Sequence, residues 1–195
     1  MSSPVTFLRE FVKDPVQLGA VAPSGPSLAA LMVEAADLKP EHVVVELGAG
    51  TGPMTVEILK VRPEGPFVTL EPNPPLADGL KARFPGVRVE QKYAQELRAI
   101  LDDMGHERAD RVVSSLPWAI WSDELQSAVF AAILDVLADD GRMVTFAYVH
   151  ALWLPAARRL RKALEDRFHS VTTTRVAWLN LPPVLVYVCD RPRRS

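Results

Sequence analysis

The sequence contains a single cysteine and no apolar segment long enough to cross a bilayer. Cys189 has no second cysteine with which to form an internal disulfide, and charged residues interrupt every hydrophobic run. The start of the chain also lacks the succession of charged, apolar and small residues that is typical of a signal peptide. We therefore expect a cytoplasmic protein whose contacts with a membrane, where it makes any, are peripheral.

Nucleic-acid binding and metal binding both lack the residues that they need. The 22 basic and 24 acidic residues give a formal net charge of −2, so the chain has no strong positive field to attract a phosphate backbone. The four histidines lie far apart and lack companion cysteines or histidines at zinc-site spacing: His42, His106, His150 and His169. We expect neither a nucleic-acid substrate nor a bound metal.

The residues that are present predict one domain of the α/β class. With 195 residues, 48% of them hydrophobic, the chain can fill a core, and from position 43 onward β-branched runs alternate with helical patterns. The last two β-rich runs are joined through a short proline-containing connection, which predicts an antiparallel pair at one edge. We predict a Rossmann-like sheet of seven strands, mostly parallel, with an antiparallel C-terminal edge and helices on both faces. The predicted strands are Val43 to Leu47, Phe67 to Leu70, Val87 to Gln91, Arg111 to Ser115, Met143 to Tyr148, Val171 to Trp178 and Leu185 to Cys189; the predicted helices include Pro26 to Ala36, Asp123 to Leu137 and Ala156 to Phe168.

A glycine-rich turn follows the first predicted strand directly. Residues 48–52 place a glycine at every second position, which lets the backbone approach a ligand closely, but Pro53 stands where a dinucleotide fingerprint has its third glycine. Glu46 precedes this turn and Glu71 ends the second strand. A carboxylate at Glu46 would repel a pyrophosphate but not a ligand with a sulfonium, an ammonium and a ribose diol. S-adenosylmethionine has all three groups.

Three segments carry a resemblance to a known family. They are Gly19-Ala20-Val21-Ala22-Pro23-Ser24, Val45-Glu46-Leu47-Gly48-Ala49-Gly50-Thr51-Gly52, and Ser115-Leu116-Pro117-Trp118 after the fourth strand. Together with the strand order, they resemble the class I methyltransferases, and within them the bacterial phospholipid N-methyltransferases that are related to the ribosomal RNA adenine dimethylases. The resemblance extends over nearly the whole chain and implies S-adenosylmethionine as cofactor.

The same resemblance implies which residues bind the cofactor. Glu46 and the glycine turn would hold the methionine end, Glu71 would take the ribose hydroxyls, and residues after the third strand would flank the adenine. The family usually has an aspartate after that strand, whereas this chain has Tyr93, Ala94 and Gln95 there. The full predicted set is Val21, Glu46, Gly48, Ala49, Gly50, Thr51, Gly52, Glu71, Pro72, Tyr93, Ala94, Gln95 and Ser115.

The segment after the fourth strand is similar to signatures of enzymes that methylate amino nitrogens. The similarity implies that Ser115 and the Leu116 carbonyl accept hydrogen bonds from the target amine. It also implies that Trp118 faces a centre that gains permanent positive charge, although packing under the next helix is the other interpretation. An alkylammonium must lose its proton before it attacks, and Tyr148 is the first candidate to accept or relay that proton, with His150 second. For Trp121, which follows this segment, packing is the favoured interpretation.

Residues 1–40 are predicted to form N-terminal helices and residues 41–195 the methyltransferase domain, together one compact unit. The helix Val5 to Lys13 has an apolar side, with Arg9 beside it. It could lie in a membrane interface or fold over the cofactor as a lid. A basic cluster further along is either a solvated face or a contact for anionic headgroups: Arg158, Arg159, Arg161 and Lys162.

The leading functional hypothesis is N-methylation of phosphatidylethanolamine and its partly methylated forms toward phosphatidylcholine. A soluble small-molecule acceptor is the alternative, with the N-terminal helices as a lid. Methylation of ribosomal RNA is disfavoured because only residues 191–195 follow the last predicted strand, too few for the RNA-binding domain of the adenine dimethylases. A cofactor-binding protein without catalysis is the remaining hypothesis.

Overall fold

The computed structural model describes residues 26–61, 64–178 and 180–194. The chain alternates helices and strands in the order α1 (Pro26–Ala36), β1 (Val44–Leu47), α2 (Pro53–Val61), β2 (Phe67–Leu70), α3 (Pro74–Arg83), β3 (Arg88–Glu90), α4 (Leu97–Asp103), β4 (Ala109–Ser114), α5 (Asp123–Val136), β5 (Leu137–Tyr148), α6 (Pro155–Arg167), β6 (Phe168–Thr173) and β7 (Val184–Pro192). Single 3₁₀ turns lie at Ala94–Glu96, Trp118–Ile120 and Val149–Ala151. Within the described ranges, no helix has both the length and the apolar character needed to span a membrane.

All seven strands form one sheet in the order β3-β2-β1-β4-β5-β7-β6. Six strands run parallel, and β7 is antiparallel to its two neighbours, β5 and β6. This arrangement confirms the predicted Rossmann-like sheet with an antiparallel C-terminal edge. Because the chain order reverses between β1 and β4, the carboxyl ends of these strands flank a crevice, which is where open α/β sheets bind ligands.

Two predicted boundaries near the C-terminal edge differ from the structure. The strand β5 begins at Leu137 rather than at Met143, directly after α5 ends at Val136, and its pairing with β4 shifts register between Ala109 and Arg111. The strand β6 begins at Phe168, whose buried ring anchors it, and ends at Thr173 rather than Trp178. Beyond Thr173 the chain meets β7 again only through an isolated bridge between Ala177 and Val184, a long-range pairing that a single sequence run does not reveal.

The two faces of the sheet carry separate apolar cores. On one face, helices α4, α5 and α6 pack on Val45, Leu47 and Val112; on the other, α1 and α2 pack on Val113 and Val144. Neighbouring strand residues thus face opposite cores, as the alternation of side chains along a strand requires. The helices on both faces agree with the predicted fold.

Two arginines of the sheet bind the carboxyl end of α1. Arg111 Nε donates to the Ala36 carbonyl at 2.9 Å, and Arg142 Nη1 donates to the Ala35 carbonyl at 3.0 Å. Arg142 also pairs with Asp190 on β7 at 2.6 Å. Since the last carbonyls of a helix have no partner within it, these cations stabilise α1 and tie it to strands β4 and β5.

Candidate active site

The glycine turn connects β1 to α2 at the carboxyl edge of the sheet. Gly48, Gly50 and Gly52 all have positive φ, at 77°, 57° and 87°. A Cβ on Gly48 would lie 3.2 Å from Leu116 Cδ2, whereas a Cβ on Gly50 would meet nothing within 4 Å. Gly52 has a packing role, because a Cβ there would lie 2.8 Å from the Phe84 ring. The turn is therefore closed against the segment after β4 at Gly48 and open at Gly50.

Glu71 connects the second strand to this turn. Its Oε2 accepts from the Gly50 N–H at 2.8 Å, and its Oε1 accepts from the Asn73 N–H at 2.9 Å. Burial raises the pKa of Glu71, while the two backbone N–H groups act in the opposite direction. Each oxygen of the ionised carboxylate keeps a further acceptor site. Glu71 can thus hold the turn and still accept from a ribose hydroxyl, the contact predicted for it.

Glu46 does not reach the site edge. The side chain is fully buried, and its Oε2 accepts from the Thr55 hydroxyl at 2.7 Å, while its Oε1 has no hydrogen-bond partner among the described residues. Burial raises the pKa of this carboxyl to about 7. Because side chains alternate along β1, Glu46 faces helix α2, whereas its neighbour Leu47 faces the ligand side. The structure does not support the predicted contact between the Glu46 side chain and the methionine end.

One cavity lies where the ends of β1, β2 and β3 meet the segment after β4. It brings together the residues predicted to flank the adenine with Gly48 of the glycine turn, and its lining is Leu47, Gly48, Leu70, Pro72, Lys92, Tyr93, Ala94, Gln95, Leu116, Trp121 and Val129. The side chains are mostly apolar, which suits a flat heterocycle such as adenine. No carboxylate lines the cavity, so Tyr93 and Gln95 offer the oxygen acceptors for the adenine amino group. With Glu71 beside the glycine turn, the residues present fit S-adenosylmethionine.

Trp118 and Trp121 exchange the positions expected for them. Trp118 is 2% exposed, stacks on Phe130 with ring centroids 4.2 Å apart, and donates from Nε1 to Ser114 Oγ at 3.0 Å. The 3₁₀ turn at Trp118–Ile120 directs it under helix α5, so it cannot face a methylated amine. Trp121, for which packing was the favoured interpretation, lines the cavity instead. This exchange could not be predicted from the local sequence, because the turn that carries the two rings is held by Gln126 of helix α5, whose side-chain amide donates to the carbonyls of Trp118 and Trp121.

The residues predicted to handle the methyl acceptor lie at the same sheet edge, but no hydrogen bond joins Ser115 or Leu116 to Tyr148 or His150. Ser115 donates its backbone N–H to Leu47 at 2.9 Å, and its half-buried hydroxyl has no partner among the described residues. The Leu116 carbonyl accepts from the Trp118 N–H at 2.9 Å, which leaves one lone pair for a substrate. Tyr148 ends β5, the strand adjacent to β4. Its ring stands 5.7 Å from that of His150, which is exposed.

Tyr148 is half-buried, and this burial raises the pKa of its hydroxyl. The hydroxyl therefore stays protonated at neutral pH and can relay a proton without existing as a phenolate. Among the other predicted residues, Ala49 and Thr51 belong to the glycine turn, with Ala49 buried and Thr51 exposed. Val21 and the helix predicted at residues 5–13 lie outside the described residues.

Known proteins are similar to this chain in sequence and in fold. The chain is 35% identical over 194 residues to the ornithine lipid N-methyltransferase of Singulisphaera acidiphila, which covers 97% of this chain and 96% of that relative. A shorter match, 31% identical over 91 residues, relates the chain to the ribosomal RNA small subunit methyltransferase A of Chlorobium limicola. It covers 47% of this chain and 33% of that relative. No protein-family model matches.

Among solved structures, the magnesium protoporphyrin IX methyltransferase of Synechocystis PCC 6803 with bound S-adenosylmethionine superimposes with a TM-score of 0.67 at 13% identity, over 98% of each chain. This likeness shows the shared fold, and the full-length relative shows the family. The chain therefore belongs to the class I methyltransferases, enzymes that transfer a methyl group from S-adenosylmethionine.

Proposed function

We propose that this enzyme methylates the primary amine of a membrane lipid headgroup. The observation that carries the proposal is the full-length similarity to an ornithine lipid N-methyltransferase. Ornithine carries a primary amine on its side chain, and phosphatidylethanolamine, the acceptor expected from the sequence, presents the same group. Ornithine lipid is thus the first acceptor to test and phosphatidylethanolamine the second.

The position of the segment after β4 supports an acceptor beside the cofactor. Leu116 packs over Gly48, so Ser115 and the Leu116 carbonyl lie next to the glycine turn. When bound there, S-adenosylmethionine supplies a methyl group on a positively charged sulfur, which becomes a neutral thioether as the amine nitrogen takes the methyl. The chain's contribution is to hold the nitrogen lone pair in line and to exclude water.

The amine has to arrive neutral or lose its proton within the site. The Ser115 hydroxyl and the free lone pair of the Leu116 carbonyl can each accept an N–H bond, which leaves the nitrogen lone pair for attack. The protonated Tyr148 hydroxyl can pass the departing proton from the amine toward solvent, where the exposed His150 lies beside it. Trp118 has no part in this step, since it is buried under α5.

Transfer of labelled methyl groups tests the proposal. The enzyme is incubated with methyl-labelled S-adenosylmethionine and, in separate reactions, with ornithine lipid, phosphatidylethanolamine or a mixture of water-soluble amines. We expect label in a lipid fraction, lost in a Gly48→Val variant. Label only in a water-soluble amine, or no label in any lipid while the cofactor binds normally, would contradict the lipid acceptor and favour the soluble alternative.

A further inference from the structure

Five exposed apolar side chains mark the carboxyl edge of the sheet on the acceptor side. They are named here the apolar rim and consist of Ile120, Trp153, Leu154, Trp178 and Leu181. Trp153 is 77% exposed, Trp178 67% and Leu181 85%. Of the described residues, one other large hydrophobic side chain, Val61, is exposed to a comparable degree. Exposed apolar residues gathered in one region mark a surface that meets something else.

The topology places these residues at one edge. Ile120 follows β4, and Trp153 and Leu154 follow β5 just before α6 begins. The connection between β6 and β7 lies at the same edge, because β7 is antiparallel to β5 and begins where β5 ends. There the Val149 N–H donates a hydrogen bond to the Pro183 carbonyl at 2.9 Å. That edge also holds Ser115 and Tyr148, so the rim borders the proposed acceptor site.

The rim is held in place by polar contacts behind it. Asn180 is 7% exposed and donates from Nδ2 to the Pro182 carbonyl at 2.6 Å. The Ala177 N–H donates a hydrogen bond to the Val184 carbonyl at 2.8 Å. These bonds fix the backbone on either side of Trp178 and Leu181, although both side chains point outward. Their exposure is therefore a feature of the folded connection.

Beside Trp153, Leu154, Trp178 and Leu181 the charges are mostly positive, whereas Asp123 and Glu124 follow Ile120 at the start of α5. From Gly141 to Cys189 the chain has seven basic and two acidic residues, and both acids, Glu165 and Asp166, pair with Arg161 and Lys162 toward the end of α6 that is remote from the rim. Arg159 pairs with Asp123 of α5.

Two cations near the rim are left without such a partner. Arg158, one turn after Leu154, and Arg175, three residues before Trp178, make no ion pair or side-chain hydrogen bond with any described residue. An apolar surface flanked by free guanidinium groups complements a bilayer that carries anionic lipid, because tryptophan favours the membrane interface and arginine the headgroup phosphates.

We propose that the apolar rim docks on the surface of an anionic bilayer, with Trp153, Leu154, Trp178 and Leu181 entering the interface and Arg158 and Arg175 binding headgroup phosphates. The inference rests on the proposed lipid acceptor, since a headgroup amine lies at the surface that the rim would contact. Docking in this orientation brings the acceptor side of the site to the bilayer, so that a lipid can present its amine without leaving the membrane.

The chain's own tryptophans report on the docking. Trp118 and Trp121 are buried, whereas Trp153 and Trp178 are exposed, so quenching by a brominated phospholipid isolates the rim. The full-length enzyme is mixed with phosphatidylcholine vesicles that contain phosphatidylglycerol and brominated lipid. We expect a shift of emission to shorter wavelength and quenching, with each single variant, Trp153→Phe or Trp178→Phe, retaining part of both signals.

Vesicle flotation then measures the contribution of the rim. The double variant Trp153→Ser/Trp178→Ser should bind about tenfold more weakly or worse, because each ring contributes apolar burial. Val61→Ser, at the far end of α2, is the matched control for loss of an exposed apolar side chain and should bind as the wild type does. Circular dichroism checks that each variant is folded.

Several outcomes overturn the rim proposal. It fails if the double variant binds vesicles like the wild type, or if the exposed tryptophans are not quenched. It also fails if sedimentation shows a wild-type dimer that the double variant abolishes while neither protein binds vesicles, since the rim would then be an interface between copies.

Methylation assays separate this proposal from the proposed function. A water-soluble, short-chain analogue of the acceptor lipid should be methylated equally by the wild type and the double variant, while methylation on vesicles falls with binding. If quenching occurs but no lipid amine is methylated, the docking is supported and the proposed function fails. If lipid amines are methylated but the exposed tryptophans are not quenched, the proposed function is supported and the docking proposal fails.

Discussion

The two halves of the carboxyl edge are built on different principles. Around the ends of β1, β2 and β3, polar groups are buried and bonded to the protein itself: Glu71 holds the glycine turn, and Glu46 is bonded to Thr55. Around the ends of β4, β5 and β6, the Ser115 hydroxyl has no partner among the described residues and the apolar rim is exposed. The cofactor half is held mainly by buried contacts, whereas the acceptor half presents exposed side chains. Specificity for the acceptor is therefore to be sought on the surface, and cofactor affinity in the buried contacts.

The strongest test of the cofactor half is Gly48→Val. The φ of 77° disfavours any β-branched residue, and the added side chain would press on Leu116 Cδ2, 3.2 Å from a Cβ at this position. We expect affinity for S-adenosylhomocysteine, measured by calorimetry, to fall about a hundredfold or more. Gly79→Ala is the control, because Gly79 lies in α3 with nothing near its Cβ position, and it should keep full affinity. Undiminished binding by the Gly48 variant would refute the site.

Replacement of Trp118 distinguishes packing from substrate contact. Trp118→Leu removes the stack on Phe130 and the bond to Ser114, so the free energy of unfolding should fall by about 3 kcal/mol. Trp153→Leu makes the same change at a side chain that is 77% exposed, and stability should change by about 0.5 kcal/mol or less. Urea unfolding measures both. A stable Trp118 variant with impaired methyl transfer would restore the role of Trp118 beside the substrate.

The buried Glu46 makes stability depend on pH. Its pKa is raised from 4.5 to about 7, so between these values the folded state holds a proton that the unfolded chain releases. The contribution of Glu46 to stability is therefore full below pH 4.5 and is lost as the pH rises to about 7, by about 3 kcal/mol. In Glu46→Gln that loss should disappear. Urea unfolding across this range checks it, with Glu107→Gln, at a side chain 86% exposed, as the control whose slope matches the wild type.

The smallest effect is expected at Tyr148. Tyr148→Phe removes the hydroxyl that relays the proton but keeps the ring beside Phe146, so kcat should fall about tenfold while affinity for S-adenosylhomocysteine is unchanged. Tyr187→Phe removes a hydroxyl from a buried core tyrosine on β7 and is the matched control with unaltered kcat. Equal rates for the two variants would remove Tyr148 from the mechanism.

The cofactor half was the more predictable from sequence, because its signals are local. The glycine spacing of residues 48–52, the acid at Glu71 and the position of Tyr93 after β3 follow one another in chain order, and each lies where the pattern indicates. Glu46 was misplaced because the motif says which residue precedes the turn but not which face of the strand its side chain occupies. Strand alternation, counted from Leu47, would have indicated that Glu46 occupies the opposite face of β1.

The acceptor half depends on contacts between distant segments, which one sequence does not display. Trp118 is buried because Phe130 and Gln126 of the next helix meet it, and Trp178 is exposed because β6 already ends at Thr173. Composition did hold one usable signal for a basic surface, the scarcity of acidic residues from position 141 to 189. The basic cluster on α6 is only one part of that pattern.

The attachment of α1 has a consequence for the apolar rim. Arg111 and Arg142 hold its carboxyl end, and Ser27 at its start contacts Asn180 of the β6–β7 connection at 3.5 Å. Helix α1 thus braces the connection that carries Trp178 and Leu181 against strands β4 and β5. A substitution that loosens either end of α1 would therefore shift two side chains of the rim without touching them.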